Sequence, residues 1–362
     1  MAWSYDRTGD VVFWGLVSGV VAASLHVLNI CCPYIVFPAV WLLTAAASLT
    51  LSTLTVSPSG KAVLVTGCDS GFGHAFALIL DKMGFRVFAG CLQAGGAGAD
   101  LLREKGSNRL HVLQMDITNQ EQVKQAAQDV ERLLPGGEVL WGVVNNAGVL
   151  TYGMVEWVPL HTYISVANIN IFGVISVTKT FLPLIRLAKG RVVIMSSVAG
   201  SIGRGLMSPY ATTKFAVEGF SDCLREEMRP WGVRVTVVEP GNFSAATNIT
   251  SKEKVSRQSE QMWAAMDPGV QRDYGKQFFD AITKLALIHT ESGSKDETPV
   301  MQAMTEALTQ RFPRARYRAV DWYYFIKLQA VIHLPEWFID LIYIGQPPQK
   351  MYQENITQQK QD

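Results

Sequence analysis

Charged residues are missing from one long stretch near the start of the chain: residues 11–60 contain no Asp, Glu, Lys or Arg. About 20 apolar residues are enough to cross the hydrocarbon core of a bilayer. Residues 11–30 and 35–56 each suffice, and the sequence CCPY at residues 31–34 can form a turn between them. The absence of charge therefore predicts a transmembrane helical hairpin, and we expect residues 1–57 to act as a membrane anchor.

Basic residues are too few before this stretch for a targeting sequence. A transit peptide is rich in Arg and poor in acids, whereas Arg7 is accompanied here by Asp6 and Asp10. A signal peptide would have a shorter apolar core and a more basic start. A retained anchor is favoured, and a buried hairpin in a soluble protein is the alternative.

The chain also lacks the patterns that mark two other protein classes. Its five cysteines, of which Cys31 and Cys32 are adjacent, follow no spacing typical of a disulfide framework or a metal site. Cys68 lies inside a glycine-rich segment, where a disulfide would be disruptive. A net charge of +1 at pH 7 offers no basic surface for nucleic acid. We therefore expect no metal and no nucleic-acid partner, and a main domain on the reducing side of its membrane.

Beyond residue 57, apolar strands alternate with helix-length segments. The predicted strands are residues 61–66, 87–90, 110–115, 139–144, 192–195 and 233–238. Residues 120–134 and 172–188 are two of the helix-length segments between them. This alternation predicts an α/β fold with a doubly wound parallel sheet, covered by helices on both faces.

The last third of the chain holds more than such a sheet requires. A helical stretch at residues 258–266 is expected to form part of a lid over a substrate. Aromatic residues concentrate at residues 322–325 and 337–343, which suits closure of a site or contact with a bilayer interface. We assign residues 58–345 to one domain with a helical, aromatic extension, and the polar residues 346–362 to a disordered tail.

A glycine-rich turn follows the first predicted strand. Glycines at this point of a βαβ unit let the backbone approach a pyrophosphate at a helix N-terminus. The spacing is G-x-x-x-G-x-G, not the commoner G-x-G-x-x-G. The residues expected to bind a dinucleotide here are Gly67, Asp69, Ser70, Gly71, Phe72 and Gly73.

Polar and glycine residues also follow the other predicted strands. They include Asp116, Asn146, Ala147, Gly148, Ser197, Pro240 and Gly241. In a doubly wound sheet the ligand crevice lies outside the carboxyl ends of the strands. We therefore expect these residues to meet at one crevice, with Asp116 beside the adenine of the cofactor. Asp116 ending a strand, without a cofactor contact, is the alternative.

Tyr210 and Lys214 are spaced to share one face of a helix, because residues four apart project from the same side. A free phenol has a pKa near 10, and an ammonium group close to it favours the phenolate. Ser197, thirteen positions before Tyr210, could hold a substrate oxygen against the phenol. Together the three residues are suited to moving a proton on or off an alcohol or carbonyl.

In this order the motifs resemble those of the short-chain dehydrogenase/reductase family. They are TGCDSGFG at residues 66–73, NNAG at 145–148, Asn170, Ser197, Tyr210 with Lys214, and Pro240–Gly241. The resemblance covers about residues 61–345. It implies that Tyr210 is the general acid/base, that Ser197 orients the substrate oxygen, and that Lys214 lowers the pKa of the tyrosine and binds the nicotinamide ribose. Asn170 would anchor a proton-relay water.

The nicotinamide cofactor is expected to be NAD. A 2′-phosphate would need Arg or Lys near the adenine ribose, whereas a carboxylate favours the free hydroxyl. The glycine turn carries Asp69 and no basic residue, and the second strand ends in Cys-Leu-Gln at residues 91–93. The acidic residue usual at the end of the second strand is missing.

Longer stretches resemble the membrane-associated branch of the family, which acts on 3-hydroxybutyrate, 17β-hydroxysteroids or retinol. The segment at residues 208–223 and the Leu334–Pro335 pair favour (R)-3-hydroxybutyrate as the substrate, with acetoacetate as the product. Arg204 is the single cation between residues 198 and 207, and we expect it either to bind the carboxylate or to be an ordinary solvated side chain. The N-terminal anchor instead resembles that of the steroid enzymes, so a hydroxysteroid or retinoid alcohol is the alternative.

The resemblance also bears on partners and on competing functions. Relatives often pair through the helices that bear Asn170 and Tyr210, so a homodimer or tetramer is expected, with membrane lipid as a further partner. The membrane would be the mitochondrial inner membrane or the endoplasmic reticulum. A non-catalytic NAD-binding sensor would not need the acid/base pair, and a transporter would need ionisable groups within its spans. A dehydrogenase is therefore favoured over both.

Overall fold

The computed structural model describes residues 5–30, 32–247 and 249–343. The tail predicted for residues 346–362 lies outside the described residues. Residues 61–343 contain the sheet and the helices around it, and residues 5–53 contain two further long helices.

A parallel sheet of seven strands forms the centre of the main domain, in the order β3-β2-β1-β4-β5-β6-β7. The strands are β1 (Lys61–Thr66), β2 (Arg86–Cys91), β3 (Leu110–Gln114), β4 (Val139–Asn145), β5 (Arg191–Met195), β6 (Arg234–Pro240) and β7 (Arg316–Ala319). The order reverses between β1 and β4, as it does in doubly wound folds, and the predicted fold class is confirmed.

The seventh strand was not predicted from the sequence. Its four residues alternate half-buried arginines, Arg316 and Arg318, with the buried Tyr317 and Ala319. Five of the six predicted strands lie inside the sheet, where burial on both faces accounts for their longer runs of apolar residues. An edge strand with two arginines has no such run.

Helices cover both faces of this sheet. The helices of the main domain are α3 (Gly71–Met83), α4 (Ala97–Lys105), α5 (Gln120–Leu133), α6 (Leu160–Ala167), α7 (Val174–Ala188), α8 (Ser208–Met228), α9 (Lys252–Ala265), α10 (Pro268–Tyr274), α11 (Lys276–Thr290), α12 (Thr298–Thr309), α13 (Trp322–His333) and α14 (Glu336–Tyr343). One apolar cluster joins the sheet to α3, α4 and α12, and another joins it to α5, α7 and α8. Because side chains of a strand alternate between faces, Val63 belongs to the first cluster and Leu64 to the second.

Two long apolar helices precede the sheet: α1 (Tyr5–Val27) and α2 (Pro33–Thr53). They pack against each other, and both are long and apolar enough to cross a bilayer. Almost none of α2 is buried, so its apolar surface is open to a membrane. These helices agree with the two predicted spans and indicate membrane association.

The hairpin of α1 and α2 is attached to the main domain at both of its ends. Near its start, Arg7 forms a buried ion pair with Glu306 of α12 at 3.0 Å. Past its end, the amide of Val56 donates to the carbonyl of Thr309 at 2.8 Å. Because both ends meet the same part of α12, the amino terminus and the main domain lie on the same side of the hairpin.

A third helical stretch, Leu160–Ala188, also has the length and composition of a membrane span, but it belongs to the main domain. It consists of α6, a π-helical turn at Asn168–Gly173 and α7. Phe181 and Ile185 of α7 are fully buried against the sheet. Packing in the domain core therefore accounts for the apolar inner face of this stretch.

The predicted lid helix begins earlier than expected. Residues 258–266 were predicted as helical, whereas α9 spans Lys252–Ala265 and begins at Ser251, whose hydroxyl accepts a hydrogen bond from the amide of Lys254. The first turn is polar, so apolar periodicity did not reveal it. Met262 of α9 and Phe279 of α11 pack around Trp157, which joins this helical lobe to the loop after β4.

Candidate active site

One cavity of about 470 Å³ lies at the carboxyl ends of the strands. Most of the site residues predicted from the sequence line it: Gly67, Asp69, Ser70, Gly71, Phe72, Asp116, Asn146, Ala147, Gly148, Ser197, Arg204, Tyr210, Lys214, Pro240 and Gly241. Gly73 and Asn170 lie behind its wall. The fold thus brings residues from six separate segments to one place, as expected for the crevice of a doubly wound sheet.

The glycine turn packs tightly against the loop that follows β4. Gly67 adopts a positive φ of 69°, which favours glycine. A Cβ atom on Gly73 would lie 2.4 Å from Nδ2 of Asn146 and 2.5 Å from the carbonyl oxygen of Gly67. Gly73 therefore allows the start of α3 to approach both loops, and its contribution to a cofactor site is indirect.

Thr66 and Asn146 hold the ends of β1 and β4 together. The hydroxyl of Thr66 accepts hydrogen bonds from the amides of Asn146 and Ala147, both at 3.0 Å. The side-chain amide of Asn146 donates to the carbonyl of Thr66 at 2.9 Å. These bonds fix the floor of the cavity at the point where the strand order reverses.

Asp69 lies at the end of β2. Its carboxylate accepts hydrogen bonds from the amides of Leu92 and Gln93, each at 2.9 Å. The sequence places this acid in the glycine turn, and the fold carries it across to β2. Asp69 therefore lies where dinucleotide-binding folds have an acid that binds the adenine ribose. In the sequence, the end of the second strand carries no acid of its own.

Ser197 and Tyr210 form the polar centre of the cavity. The Ser197 hydroxyl lies within hydrogen-bonding reach of the phenol, and both side chains are buried. Burial raises the pKa of Tyr210 to about 12, and the bond with Ser197 acts in the opposite direction. Ser196 also lines the cavity, but its Oγ lies beside Gly200, 2.7 Å from where a Cβ atom on that residue would be. Of the two serines, Ser197 is therefore the one beside the phenol.

Lys214 lies one helical turn from Tyr210. Its Nζ donates to the carbonyl of Met195 at 2.7 Å and lies 5.5 Å from the centroid of the Tyr210 ring. Burial lowers the pKa of Lys214 to about 8, whereas the charge of Glu218 on the next turn of α8 raises it. The spacing of four residues on one helix does bring the ammonium group beside the phenol.

Asn170 lies in the π-helical turn, and its side chain is fully engaged. Oδ1 accepts from the amide of Val149 at 2.9 Å, while Nδ2 donates to the carbonyl of Val149 at 2.9 Å and to the hydroxyl of Thr213 at 3.0 Å. Thr213 in turn bonds the carbonyl of Tyr210 at 2.7 Å. Asn170 thus ties the loop after β4 to the helix of Tyr210; its water-anchoring role remains a prediction.

Several residues of the cavity were not singled out from the sequence. They are Tyr152 after β4, Lys254 of α9, His289 of α11, and Tyr324 with Lys327 of α13. None lies in a recognisable motif, and all except Tyr152 come from the helices of the last third of the chain. The aromatic cluster at residues 322–325 was the available signal, since closure of a site was one of the two roles predicted for it and its Tyr324 lines the cavity.

Comparison with known proteins agrees with this geometry. Residues 61–256 match the family model for short chain dehydrogenase. The chain belongs to this family. It is accordingly an NAD-dependent oxidoreductase that acts on CH–OH groups, as the motifs predicted.

Individual relatives span most of the chain. The mitochondrial D-beta-hydroxybutyrate dehydrogenase of Rattus norvegicus is 48% identical over 291 residues, which cover 79% of this chain and 84% of that protein. Estradiol 17-beta-dehydrogenase 2 of Mus musculus is 39% identical over 314 residues, covering 86% and 80%. The short chain dehydrogenase/reductase of Burkholderia phymatum, solved in complex with NAD, matches with a TM-score of 0.62 at 22% identity, covering 79% of this chain and 96% of that one. This last likeness supports the fold.

Proposed function

We propose that this protein is a membrane-anchored dehydrogenase that interconverts (R)-3-hydroxybutyrate and acetoacetate with NAD. The observation that carries the proposal is the buried set of Ser197, Tyr210 and Lys214 in one cavity with the glycine turn. The choice of substrate rests on the relatives, since a hydroxybutyrate dehydrogenase is 48% identical over most of the chain.

The acid/base step belongs to Tyr210. Ser197 holds the alcohol oxygen of the substrate beside the phenol, and Tyr210 in its phenolate form accepts the hydroxyl proton. Because burial disfavours the phenolate, the neighbouring Lys214 ammonium and the Ser197 hydroxyl are needed to stabilise it. The bound nicotinamide supplies the hydride acceptor for the carbinol hydrogen. The reverse reaction uses the same residues, with Tyr210 donating the proton to the carbonyl oxygen.

The residues at the other end of the cavity suit NAD. The turn from Gly67 to Gly71 provides backbone for the pyrophosphate, and Asn146 to Gly148 provide the facing wall. Asp69 and Asp116 are the charged residues that line this end among those the structure describes, and a carboxylate there favours a ribose with a free 2′-hydroxyl. Lys214 would bind the nicotinamide ribose. Pro240 and Gly241 would contact the nicotinamide.

A hydroxysteroid substrate is the second candidate. Estradiol 17-beta-dehydrogenase 2 is 39% identical over 86% of the chain, and the matched region reaches further than that of the hydroxybutyrate enzyme. The apolar residues Leu150, Ile202 and Met207 would contact the rings of such an alcohol. Arg204 lines the cavity together with these residues, and its positive charge favours a hydroxy acid over an uncharged steroid alcohol.

Exposed apolar surfaces support a homo-oligomeric assembly. Leu160, Ile164 and Phe172 are more than half exposed on the helices before and around Asn170, and Phe215 of α8 is 47% exposed. A second copy of the chain would cover these helices, giving a homodimer or a tetramer. The catalytic domain would face the reducing side of the mitochondrial inner membrane or of the endoplasmic reticulum.

Formation of NADH by the purified, lipid-reconstituted protein tests this function. The protein is supplied with NAD and with (R)-3-hydroxybutyrate, estradiol, testosterone or retinol in parallel. We expect turnover of the hydroxy acid and little of the apolar alcohols. Turnover of the apolar alcohols alone would contradict the proposed substrate and leave the dehydrogenase assignment standing.

A further inference from the structure

Charge is separated along the cavity. Among the described residues that line the cavity, the acids are Asp69 and Asp116, and they lie at the end of the cavity that the glycine turn forms. The cations Arg204, Lys254 and Lys327 line it together with Lys214. Asp69 is held by two backbone amides and Asp116 by Thr118, so neither carboxylate is directed at these cations. An anion that enters the substrate end would therefore meet the positive charges of these side chains.

Two of these cations lie close enough to influence each other. Burial, and then the charge of Arg204, lower the pKa of Lys327. Burial and Arg204 likewise lower the pKa of His289, whose ring is therefore neutral near pH 7. Arg204 comes from the loop before α8, His289 from α11 and Lys327 from α13. Three elements distant in sequence thus converge on one region, and two of them bring like charges together.

The same region adjoins the catalytic phenol. Tyr152 and His289 pack edge to face with ring centroids 5.7 Å apart. Tyr152 lines the cavity with Tyr210 and Arg204 and lies within electrostatic reach of both. A short substrate with its hydroxyl at Tyr210 would consequently direct its other end towards Arg204 and Lys327.

Helix α13 presents one face to this region. Tyr324, Lys327 and Leu328 line the cavity and follow the three- and four-residue spacing of a helix face. Trp322, Tyr323 and Ile326 on the opposite side are exposed. Lys327 is half-buried and belongs to this cavity-lining face, so its charge is partly shielded from bulk solvent.

We infer that Arg204 and Lys327 form an anion subsite, closed by α13, that binds the carboxylate of a short 3-hydroxy or 3-oxo acid while the hydroxyl or carbonyl oxygen lies at Tyr210. Tyr152 and His289 supply neutral hydrogen-bonding groups between the two ends. The inference rests on the proposed function and adds to it the residues that select an acid over an uncharged alcohol. Lys327 is the new element, because it makes the C-terminal helix a determinant of specificity.

A matched pair of substrates tests this subsite: (R)-3-hydroxybutyrate and its uncharged methyl ester. In Lys327→Gln and Arg204→Gln we expect kcat/KM for the acid to fall about tenfold or more, because each loses a charge-assisted hydrogen bond. The value for the ester should stay within about twofold, since a neutral group gains nothing from either cation. Lys284→Gln on α11, where the lysine is exposed and outside the cavity, is the control and should change neither value.

Equal losses for acid and ester in Lys327→Gln would overturn the subsite, because they would mean that Lys327 only supports the lid. Equal use of acid and ester by the wild-type protein would also overturn it, while the dehydrogenase function would stand.

Binding provides a test that does not depend on oxidation of the acid. In the Tyr210→Phe background with NADH present, we expect acetoacetate to bind with a Kd that rises about tenfold on adding Lys327→Gln, as measured by calorimetry. This result would support the subsite even if the acid were not the physiological substrate. A Kd that is insensitive to Lys327, or no binding at all, would contradict it.

Discussion

The phenol of Tyr210 does not ionise readily where it lies, because burial raises its pKa to about 12. The Ser197 hydroxyl bonded to it and the Lys214 ammonium 5.5 Å from its ring centroid are the described groups that favour the phenolate. In the mechanism that we propose, proton transfer near neutral pH therefore requires the three residues together. Their identity was predictable from the sequence, whereas the burial that makes the neighbours necessary was not.

Replacing Tyr210 with Phe removes the proton acceptor and keeps the ring. We expect kcat for alcohol oxidation to fall by about 10²- to 10⁴-fold, the usual contribution of a positioned acid/base. NADH binding, measured by fluorescence, should persist. Tyr163→Phe is the matched control, since the hydroxyl of Tyr163 bonds Ser208 of the same helix but lies outside the cavity. Unchanged turnover in Tyr210→Phe would remove Tyr210 from the mechanism.

Glu239, at the end of β6, should give stability a clear pH dependence. It is fully buried next to Arg318, and burial followed by the charge of Glu218 raises its pKa from 4.5 to about 7. A carboxyl whose pKa is higher in the folded state stabilises the fold at low pH, and this contribution is lost as pH rises from about 4.5 to about 7. The wild-type protein should therefore lose up to about 3 kcal/mol relative to Glu239→Gln over that interval.

Chemical denaturation of both proteins at pH 5 and pH 8 measures this difference. Glu226→Gln, an exposed position on α8, is the control and should show a difference from wild type that does not depend on pH. A free energy difference between wild type and Glu239→Gln that is equal at both pH values would contradict the prediction.

At the scale of elements, the glycine turn depends on close backbone packing. A Cβ atom on Gly73 would collide with Asn146 and with the carbonyl of Gly67. We expect Gly73→Ala to lower the free energy of unfolding by about 1–3 kcal/mol, as overpacking does, and to weaken NADH binding because the turn must shift. Gly219→Ala on α8 meets open space and should instead stabilise the protein by about 0.5–1 kcal/mol.

Thermal unfolding and NADH titration of the two variants distinguish these effects. Equal behaviour of Gly73→Ala and Gly219→Ala would show that the turn tolerates a side chain, contrary to the packing described here.

The elements differ in how far the sequence could predict them. Strands β1 to β6 were predictable, since each is an apolar run between turn residues. Strand β7 was not, because Arg316 and Arg318 find their partners Glu218 and Glu239 only in the fold. The π-helical turn around Asn170 also has no sequence pattern, although functional sites often contain such turns.

The candidate site shows the same division. Residues in motifs, such as Tyr210 and Lys214, were predicted, because helix geometry alone brings them together. Lys327 and His289 were not, because their positions depend on how separate helices pack over the cavity. Asp69 is an intermediate case. The sequence identified it as a cofactor-binding residue of the glycine turn, but its position beside β2 became apparent only in the structure.

In the whole molecule, ion pairs connect the hairpin to the catalytic domain in addition to the polypeptide chain. Arg7 and Glu306 pair with side chains only 8% and 10% exposed. Asp10 pairs with Arg314 close by. Gln302 and Gln310 also donate to Glu306, so the carboxylate is the centre of a buried network. The anchor is therefore part of the folded domain at this point.

Arg7→Ala leaves Glu306 buried without its cation, and we expect a loss of about 2–4 kcal/mol in the free energy of unfolding, as for other broken buried pairs. Arg132→Ala breaks an ion pair whose arginine is 73% exposed and should cost less than about 1 kcal/mol. Thermal unfolding in lipid or detergent measures both. A similar, small effect for the two variants would show that the anchor is attached by its chain alone.

Hydride transfer from the carbinol carbon of a secondary alcohol to NAD can be followed with an isotope label. The lipid-reconstituted protein is supplied with NAD and (R)-3-hydroxybutyrate that carries deuterium at C3, and the label is followed by mass spectrometry. We expect each NADH formed to carry one deuterium, with acetoacetate in equal amount, and Tyr210→Phe to abolish both. NADH without the label, or no NADH at all, would contradict this prediction.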